Sequence, residues 1–333
     1  MGRRAWAWGR PLVGVLVLAL CVQRLGVGPF LDGLRGLRPV TLLAAIAIAC
    51  ATTVCSAWRW RVVAGALGTG LPLPAATAAY YRSQFLNSVL PGGVLGDVHR
   101  GLRHGHDAGN LGRGMRSVAW ERVAGQGVQA AIALAVLLIL PSPVRSAIPR
   151  VAVVAAVAAG ILLLTGRAVM RHGPGRLVRA LRGAVVEGRS ALLQRTAWPP
   201  VLLASSLVVV GHLGMFLLAS SAAGAHIPLQ RLLPLALVVL VAAAIPLNVG
   251  GWGPREGIAA WIFAATAWGA ATGAAVATAF GVLTLVGVFP GAVVLLVDRR
   301  HARPGGFQPG EAGRSPVDDV VLSGALQDGA AHG

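Results

Sequence analysis

Lysine is absent from this chain of 333 residues, and only 11 residues are acidic. All 29 residues counted as lysine or arginine are therefore arginines, and the formal net charge is +18. Charged residues make up 12% of the chain and hydrophobic residues 56%, whereas soluble domains contain about 25% charged residues. This shortage of charge excludes an ordinary soluble domain and indicates an α-helical membrane protein that crosses the bilayer several times.

The excess of arginine does not indicate a nucleic-acid partner. The arginines cluster between apolar runs, where the positive-inside bias and contact with anionic lipids account for them. We therefore expect no nucleic acid among the partners and predict a multi-pass protein of the cell membrane.

Cysteines and catalytic motifs are also scarce. Cys21, Cys50 and Cys55 all fall in apolar stretches and lack the spacing of disulfides or metal ligands. The chain contains no HExxH motif, no GxSxG motif and no lysine for a P-loop. We therefore expect no metal, no cofactor and no catalytic residues, and the sequence favours a transporter over an enzyme.

Six apolar runs are each long enough to cross a bilayer. They cover residues 11–27, 40–57, 117–140, 151–168, 199–222 and 271–297. Two further apolar segments, 73–97 and 232–268, are interrupted by glycine and proline. The sequence thus predicts an all-α polytopic membrane domain over residues 1–303, with about eight hydrophobic segments, and a disordered cytoplasmic tail over 304–333.

The two interrupted segments resemble each other. They read FLNSVLPGGVLGDVHR (Phe85 to Arg100) and IPLNVGGWGPREG (Ile245 to Gly257), each with Asn, Pro, a Gly-Gly pair and opposite charges. Broken helices at membrane depth expose backbone polar groups, which is tolerated only where they face protein or a wet cavity. A matching pair of breaks in two halves of a membrane protein indicates a transport site.

The distribution of arginine predicts the topology. Arginines near the N-terminus place that end in the cytoplasm, and Arg59 and Arg61 mark the return of the chain there. Segment 73–97 has basic flanks on both sides, so it enters and leaves by the cytoplasmic face, whereas 232–268 enters from outside. Each half then consists of two spans, a broken re-entrant hairpin and one span, which forms an inverted repeat with both termini in the cytoplasm.

The basic loop at 175–195 combines apolar and arginine positions at roughly helical spacing. One interpretation is an amphipathic helix that lies on an anionic leaflet. The alternative is a plain basic connector between two spans.

Only three acidic residues, Asp97, Glu121 and Glu256, lie in or beside the hydrophobic layer. A charge at mid-bilayer costs at least about 2.5–3.5 kcal/mol, so it normally has a partner and a role. Each has an arginine nearby, but adjacent helical residues do not face one another. We therefore expect partners from elsewhere in the chain, for example Arg122 reaching Asp97 or Glu256.

These residues have two interpretations. They form structural ion pairs, or Arg82, Arg100, Arg122 and Arg255 hold an anionic head group, since guanidinium binds phosphate in a bidentate way. The Gly-Gly pairs would add backbone N–H donors at helix ends. The candidate substrate-binding residues are Arg82, Asn87, Gly92, Gly93, Asp97, Arg100, Glu121, Arg122, Asn248, Gly250, Gly251, Arg255 and Glu256.

Three motifs together resemble the flippase-like family, which is also described as the lysylphosphatidylglycerol synthase transmembrane region. They are P-G-G-x-x-G-D-x-x-R from Pro91 to Arg100, E-R at Glu121 and Arg122, and G-G-x-G-x-R-E from Gly250 to Glu256. The resemblance covers about residues 10–300. It implies a stand-alone membrane domain that moves lipids, without the soluble domain of the synthases.

The resemblance and the residues lead to one expected function and one alternative. The expected function is a translocase for an anionic or polyprenyl-linked lipid of the cytoplasmic membrane, with the head-group phosphate as the bound group. The alternative is an accessory or enzymatic subunit of a lipid aminoacyl- or glycosyl-transfer system, which would have a lipid-modifying enzyme as its partner.

The predicted topology can be tested by labelling single cysteines with an impermeant reagent from outside the cell. A cysteine in the 223–231 loop should react, whereas cysteines replacing Arg103 or Arg179 should not, because their basic surroundings remain in the cytoplasm. External labelling at either arginine position would contradict the inverted repeat.

Overall fold

The structure is a computed structural model that describes residues 19–90, 93–141, 175–244 and 252–301, together with Arg167 and Arg171. Residues 19–25 are helical. The helices that follow are α1 (Gly28–Arg35), α2 (Pro39–Ala66), α3 (Leu73–Val89), α4 (Leu95–Asp107), α5 (Leu111–Ile139), α6 (Gly175–Leu193), α7 (Trp198–Ala222), α8 (Leu229–Ala243), α9 (Pro254–Ala264), α10 (Gly269–Val288) and α11 (Pro290–His301).

Within the described residues, four helices are long and apolar enough to cross a membrane. They are Pro39–Ala66, Leu111–Ile139, Trp198–Ala222 and Gly269–Asp298. These helices confirm the predicted spans 40–57, 117–140, 199–222 and 271–297, and with them the all-α polytopic class. The predicted spans 11–27 and 151–168 lie largely outside the described residues, and the predicted tail lies wholly outside them.

The chain divides into two units, Met1–Val294 and Leu295–Gly333. The first unit contains the helical bundle described below. Of the second unit, the structure describes only residues 295–301, which are helical.

Helices α2 and α5 are longer than the predicted spans. As a result, arginines that were expected outside the spans lie inside these helices. Helix α2 continues to Ala66, so Arg59 lies inside the helix and is only 5% exposed. The expectation that Arg59 marks a cytoplasmic loop is therefore wrong, because the apolar run resumes at Val62 and carries the helix further. Helix α5 begins at Leu111, where the Asn110 side chain accepts a hydrogen bond from the Arg113 backbone N–H and caps the helix.

Helix α5 buries two polar side chains and exposes several large apolar ones. Glu121 and Ser117 are fully buried, whereas Val123, Leu134 and Ile139 are exposed. A soluble protein would reverse this arrangement. The exposed apolar side chains are those expected of a helix that faces lipid on one side and a polar protein interior on the other.

The first break is a helical hairpin, as predicted for 73–97, although its second helix continues to Asp107. Helix α3 ends at Val89 and α4 begins at Leu95, with Gly93 between them at a φ of +61°. Such a φ favours glycine, because other residues have a Cβ that clashes there. Ser83 faces Asp97 and Tyr80 faces Arg100, so the two helices run antiparallel.

The second predicted break, 232–268, also separates two helices. Helix α8 ends at Ala243 and α9 begins at Pro254, and residues 245–251 between them lie outside the described residues. Gly253 has a φ of +117° at the start of α9, which again requires glycine. Pro254 occupies the first helical position, where its missing N–H costs nothing.

The helices pack in the same pattern in both halves of the chain. In the first half α2 contacts α3 and α5, α3 contacts α4, and α4 contacts α5. In the second half α7 contacts α8 and α10, α8 contacts α9, and α9 contacts α10. The contacts between halves are also reciprocal, since α5 packs on α7 and α8 while α10 packs on α2 and α3. Thus α2–α5 and α7–α10 form two structural repeats.

The equivalent helices α2 and α7 run in opposite directions. Thr52 of α2 lies against Gly211 of α7, and Arg59, seven residues later, bonds to Ser205, six residues earlier. Equivalent helices that pack antiparallel give the two repeats opposite orientations. This is the arrangement that an inverted repeat requires.

We expect the double variant Thr52→Cys/Gly211→Cys to form a disulfide in a background without Cys21, Cys50 and Cys55. A Cβ built on Gly211 lies 3.7 Å from the Cβ of Thr52, within the range of disulfides. After oxidation and protease cleavage within the segment 175–195, which contains α6, the two fragments should stay linked. Thr52→Cys/Val210→Cys is the control, because Val210 is 63% exposed. Equal linkage in both variants would contradict this packing.

Candidate functional site

The fully buried carboxylate of Glu121 lies at the centre of a charged network. One of its oxygens accepts hydrogen bonds from Arg59 Nε at 2.8 Å, from a second nitrogen of the same guanidinium, and from Tyr80 Oη at 3.0 Å. Its other oxygen lies 3.1 Å from a terminal nitrogen of Arg100. The single carboxylate of α5 therefore binds α2, α3 and α4 together.

Asp97, in the first turn of α4, has two donors on each oxygen. Ser83 Oγ and an Arg100 nitrogen are both 3.0 Å from Oδ1. Asn87 Nδ2 is 3.1 Å from Oδ2, and a terminal nitrogen of Arg122 is 2.6 Å from the same oxygen. A carboxylate has about four lone-pair sites, so these contacts occupy the acceptor capacity of Asp97. The expected pairing of Arg122 with Asp97 is confirmed.

Arg100 lies between two aromatic rings and is closed off from any ligand. Its guanidinium carbon is 4.2 Å from the centroid of Tyr80 and 4.5 Å from that of Trp60, which are cation–π distances. Its side chain has no exposed surface.

Arg122 differs from the other two arginines because it is open to a cavity. Its side chain is 38% exposed, whereas those of Arg59 and Arg100 are buried. Within the part of the chain that the structure describes, its Nε has no hydrogen-bond partner, which is also true of two nitrogens of the enclosed Arg100. The cavity has a volume of about 370 Å³ and is lined by Gly93, Val94, Asp97, Val98, Met115, Val118, Ala119, Arg122, Gln126, Ala243 and Ala244.

The cavity lies between the two breaks of the chain. Gly93 and Val94 belong to the first break, and Ala243 and Ala244 form the end of α8 just before the second. Arg122 reaches this space from α5. The cavity that Arg122 reaches is thus bordered by the first break and by the described side of the second.

The contacts of the network leave positive charge in excess. They connect three guanidinium groups, of Arg59, Arg100 and Arg122, with two carboxylates, of Asp97 and Glu121. Arg59 and Arg100 are enclosed, so the excess charge is presented to the cavity by Arg122. Such an arrangement can bind an anion, and a guanidinium that keeps unused N–H groups suits phosphate best.

Two glycines allow the close packing that the network requires. A Cβ on Gly125 would lie 2.8 Å from the guanidinium of Arg59, and a Cβ on Gly96 would lie 2.9 Å from Asn87 Oδ1. Gly96 also donates its N–H to that oxygen at 2.8 Å. Side chains at these positions would push Arg59 away from Glu121 or α4 away from α3.

The charged residues of the second break pair with each other. Glu256 accepts hydrogen bonds from Arg255 Nε at 2.9 Å and from the Gly253 N–H at 2.7 Å. The guanidinium lies 5.3 Å from the Trp252 ring and 5.5 Å from the Phe280 ring. The expectation that neighbouring residues would not pair is wrong here, because Glu256 bends back to cap the first turn of α9 and meets the Arg255 side chain.

The two repeats therefore differ in polarity. Asp97 and Glu256 are both the third residue of the helix that follows a break. Opposite Asp97 stands Arg122 of α5, whereas Phe280 and Gly281 of α10 lie against Arg255, the neighbour of Glu256. The first break presents the guanidinium of Arg122 to a cavity, whereas Arg255 is 6% exposed and pairs with Glu256.

The structure accounts for the remaining candidates as follows. Arg82 is buried on α3 and is absent from the lining of the cavity, and Asn87 binds Asp97 and the Gly96 N–H. Gly93 lines the cavity. Four candidates lie outside the described residues: Gly92, Asn248, Gly250 and Gly251.

Sequence reasoning missed three members of the network, Arg59, Tyr80 and Ser83. Arg59 was interpreted as a loop residue, although the apolar residues that follow it could have placed it inside a span. Glu121 inside an apolar span was a second signal, because its neighbour Arg122 does not face it on a helix. Tyr80 and Ser83 carry no signal in one sequence that separates them from ordinary helical residues.

Comparison with known proteins gives one family. The model of the family described as Lysylphosphatidylglycerol synthase TM region matches residues 8–291. The matched range includes both breaks and the whole charged network, so the family suggested by the sequence motifs is confirmed. No curated protein and no solved structure gives a significant match.

Glu121→Gln should destabilise the protein by about 3–5 kcal/mol, because it leaves the buried charge of Arg59 without its carboxylate and removes one of the two carboxylates that hold Arg100. Thermal unfolding in detergent is the measurement. Asp32→Asn is the matched control, since the side chains of the Asp32–Arg35 pair are 59% and 75% exposed and its loss should cost less than about 1 kcal/mol. Equal effects of both variants would contradict the central role of Glu121.

Proposed function

The chain belongs to the lysylphosphatidylglycerol synthase transmembrane-region family, and on that premise we propose that it translocates a membrane lipid. The bound group is the phosphate of an anionic or polyprenyl-linked lipid head group. The first break, with Arg122, is the binding site.

The observation that carries this proposal is the unequal use of the three arginines. Arg59 is held by Glu121 and Ser205, and Arg100 is held by two carboxylates between aromatic rings. Arg122 shares one nitrogen with Asp97 and, unlike the other two, has a side chain that is 38% exposed and lines the cavity. A buried cation without full compensation is costly at membrane depth. A phosphate that enters the cavity would supply the missing negative charge.

The surroundings of Arg122 favour the same ligand. The N-terminal end of α4 borders the cavity through Gly93 and Val94, and helix N-termini attract anions. The volume of about 370 Å³ lies within the usual range for small-molecule sites. Exposed apolar side chains such as Val123 adjoin Arg122 on α5, so the acyl chains can remain in the bilayer while the head group occupies the cavity.

The proposed function also implies a location, an orientation and a partner for the protein. The protein lies in the cell membrane with both termini in the cytoplasm, which the arginine distribution supports. A lipid-modifying enzyme that acts on the same lipid is the expected partner.

Arg122→Lys should slow lipid movement, because an ammonium group loses the bidentate geometry of guanidinium. Arg122→Gln should slow it further, by tenfold or more if one charge-assisted contact of about 1.5–3 kcal/mol is lost. The measurement is a leaflet-resolved assay with purified protein in liposomes, using labelled phosphatidylglycerol, phosphatidylethanolamine and a polyprenyl phosphate.

A double variant separates binding from structure in the same assay. If Arg122 only neutralises Asp97, then Asp97→Asn/Arg122→Gln should regain both stability and transport. Such a rescue would contradict the head-group role. Absence of movement by the folded wild-type protein for every lipid would instead favour the accessory role in a lipid-transfer system.

A further inference from the structure

We propose that helix α6 is an interaction surface for acidic phospholipid head groups of the leaflet in which the chain sits. The helix spans Gly175–Leu193. It would lie between the bundle and the membrane surface, holding the bundle with one face and the lipid phosphates with the other. This surface is separate from the cavity at Arg122.

The inner face of α6 is fixed to the bundle by specific contacts with α5. Glu187 Oε2 lies 2.8 Å from Arg116 Nε. The Ala184 carbonyl accepts a hydrogen bond of 3.2 Å from Trp120 Nε1, and Gly188 packs against the same indole ring. The glycine matters here, because any side chain at position 188 would overlap that ring. One side of α6 is thus already occupied by protein.

The outer face exposes arginine together with valine. Arg179, Arg182 and Arg189 are exposed, and Val186 between them is 67% exposed. These four residues fall on one side of a helix with 3.6 residues per turn, opposite Ala184 and Glu187. A helix face that contacts only water usually lacks an exposed valine such as Val186. A face that binds protein usually lacks three exposed arginines. The mixture suits the interface of an anionic leaflet, where valine enters the acyl boundary and guanidinium binds phosphate.

The position of α6 brings this face to the membrane. Leu192 packs against a buried cluster at the end of α2 and the start of α7, and Trp120 of α5 packs against the same cluster, which consists of Val63, Leu67 and Val201. Both α2 and α5 are membrane-span candidates, so α6 lies at one end of the bundle, where the spans leave the bilayer. Basic residues near an acidic membrane surface are attracted to it, so the three arginines can hold the helix there.

Lipid bound on α6 would also affect helix α5. Arg116 and Trp120, which fasten α6, lie on the same helix as Glu121 and Arg122. Acidic lipid bound along α6 would therefore steady the helix that carries the central charges of the network. Loss of acidic lipid would release α6 without removing any residue of the cavity.

The test uses the full-length chain with Val186→Cys, in a background where Cys21, Cys50 and Cys55 are alanine. The new cysteine carries the environment-sensitive dye NBD. The protein is placed in nanodiscs of phosphatidylcholine with or without phosphatidylglycerol. We expect phosphatidylglycerol to shift the emission to the blue and to protect the dye from iodide. Arg179→Gln/Arg182→Gln/Arg189→Gln should abolish both changes, because the phosphate contacts are lost.

Two outcomes would overturn the proposal. One is emission and quenching that do not depend on phosphatidylglycerol, which would leave α6 as a solvated connector or a protein-binding face. The other is an unchanged lipid response in the triple variant, which would show that the arginines are not the contacts. A dye at Leu229→Cys, at the other end of span α7, is the control and should not respond to the triple substitution.

Discussion

The buried carboxylate of Glu121 is the group on which the charged centre of this protein depends. It joins Arg59 of α2, Tyr80 of α3 and Arg100 of α4 to α5. Burying two guanidinium groups at membrane depth is tolerated only because this carboxylate and Asp97 neutralise them. Since both carboxylates are committed in this way, the third guanidinium, Arg122, remains undercompensated and meets the cavity. The proposed binding of an anion by Arg122 thus rests on the charge balance of the network.

The two repeats contain the same helices but arrange the charges at their breaks differently. In the first repeat Arg122 belongs to α5 and reaches across to Asp97 of α4. In the second repeat Arg255 stands beside Glu256 in the same turn, under the rings of Trp252 and Phe280. Arg255 and Glu256 therefore pair with each other and are both buried. The repeats therefore differ because Arg122 reaches Asp97 from another helix, whereas Arg255 pairs with the adjacent Glu256.

Much of the fold could be predicted from sequence because the bilayer imposes simple requirements. Apolar length predicted α2, α5, α7 and α10, and glycine with proline predicted both breaks. The pairing of Arg122 with Asp97 followed from the cost of an unpaired charge. Contacts between distant segments could not be predicted: Arg59 meets Glu121 only because α2 and α5 pack together, and one sequence carries no record of that.

The most direct test of the central claim is a cryo-electron microscopy structure of the protein in nanodiscs that contain an anionic phospholipid. We expect head-group phosphate density within about 3 Å of the Arg122 guanidinium, in the cavity bordered by Gly93 and Ala244. The Asp97 and Glu121 contacts should remain unchanged. An empty cavity with Arg122 paired only to Asp97, or a phosphate bound at Arg255 instead, would contradict the proposed site.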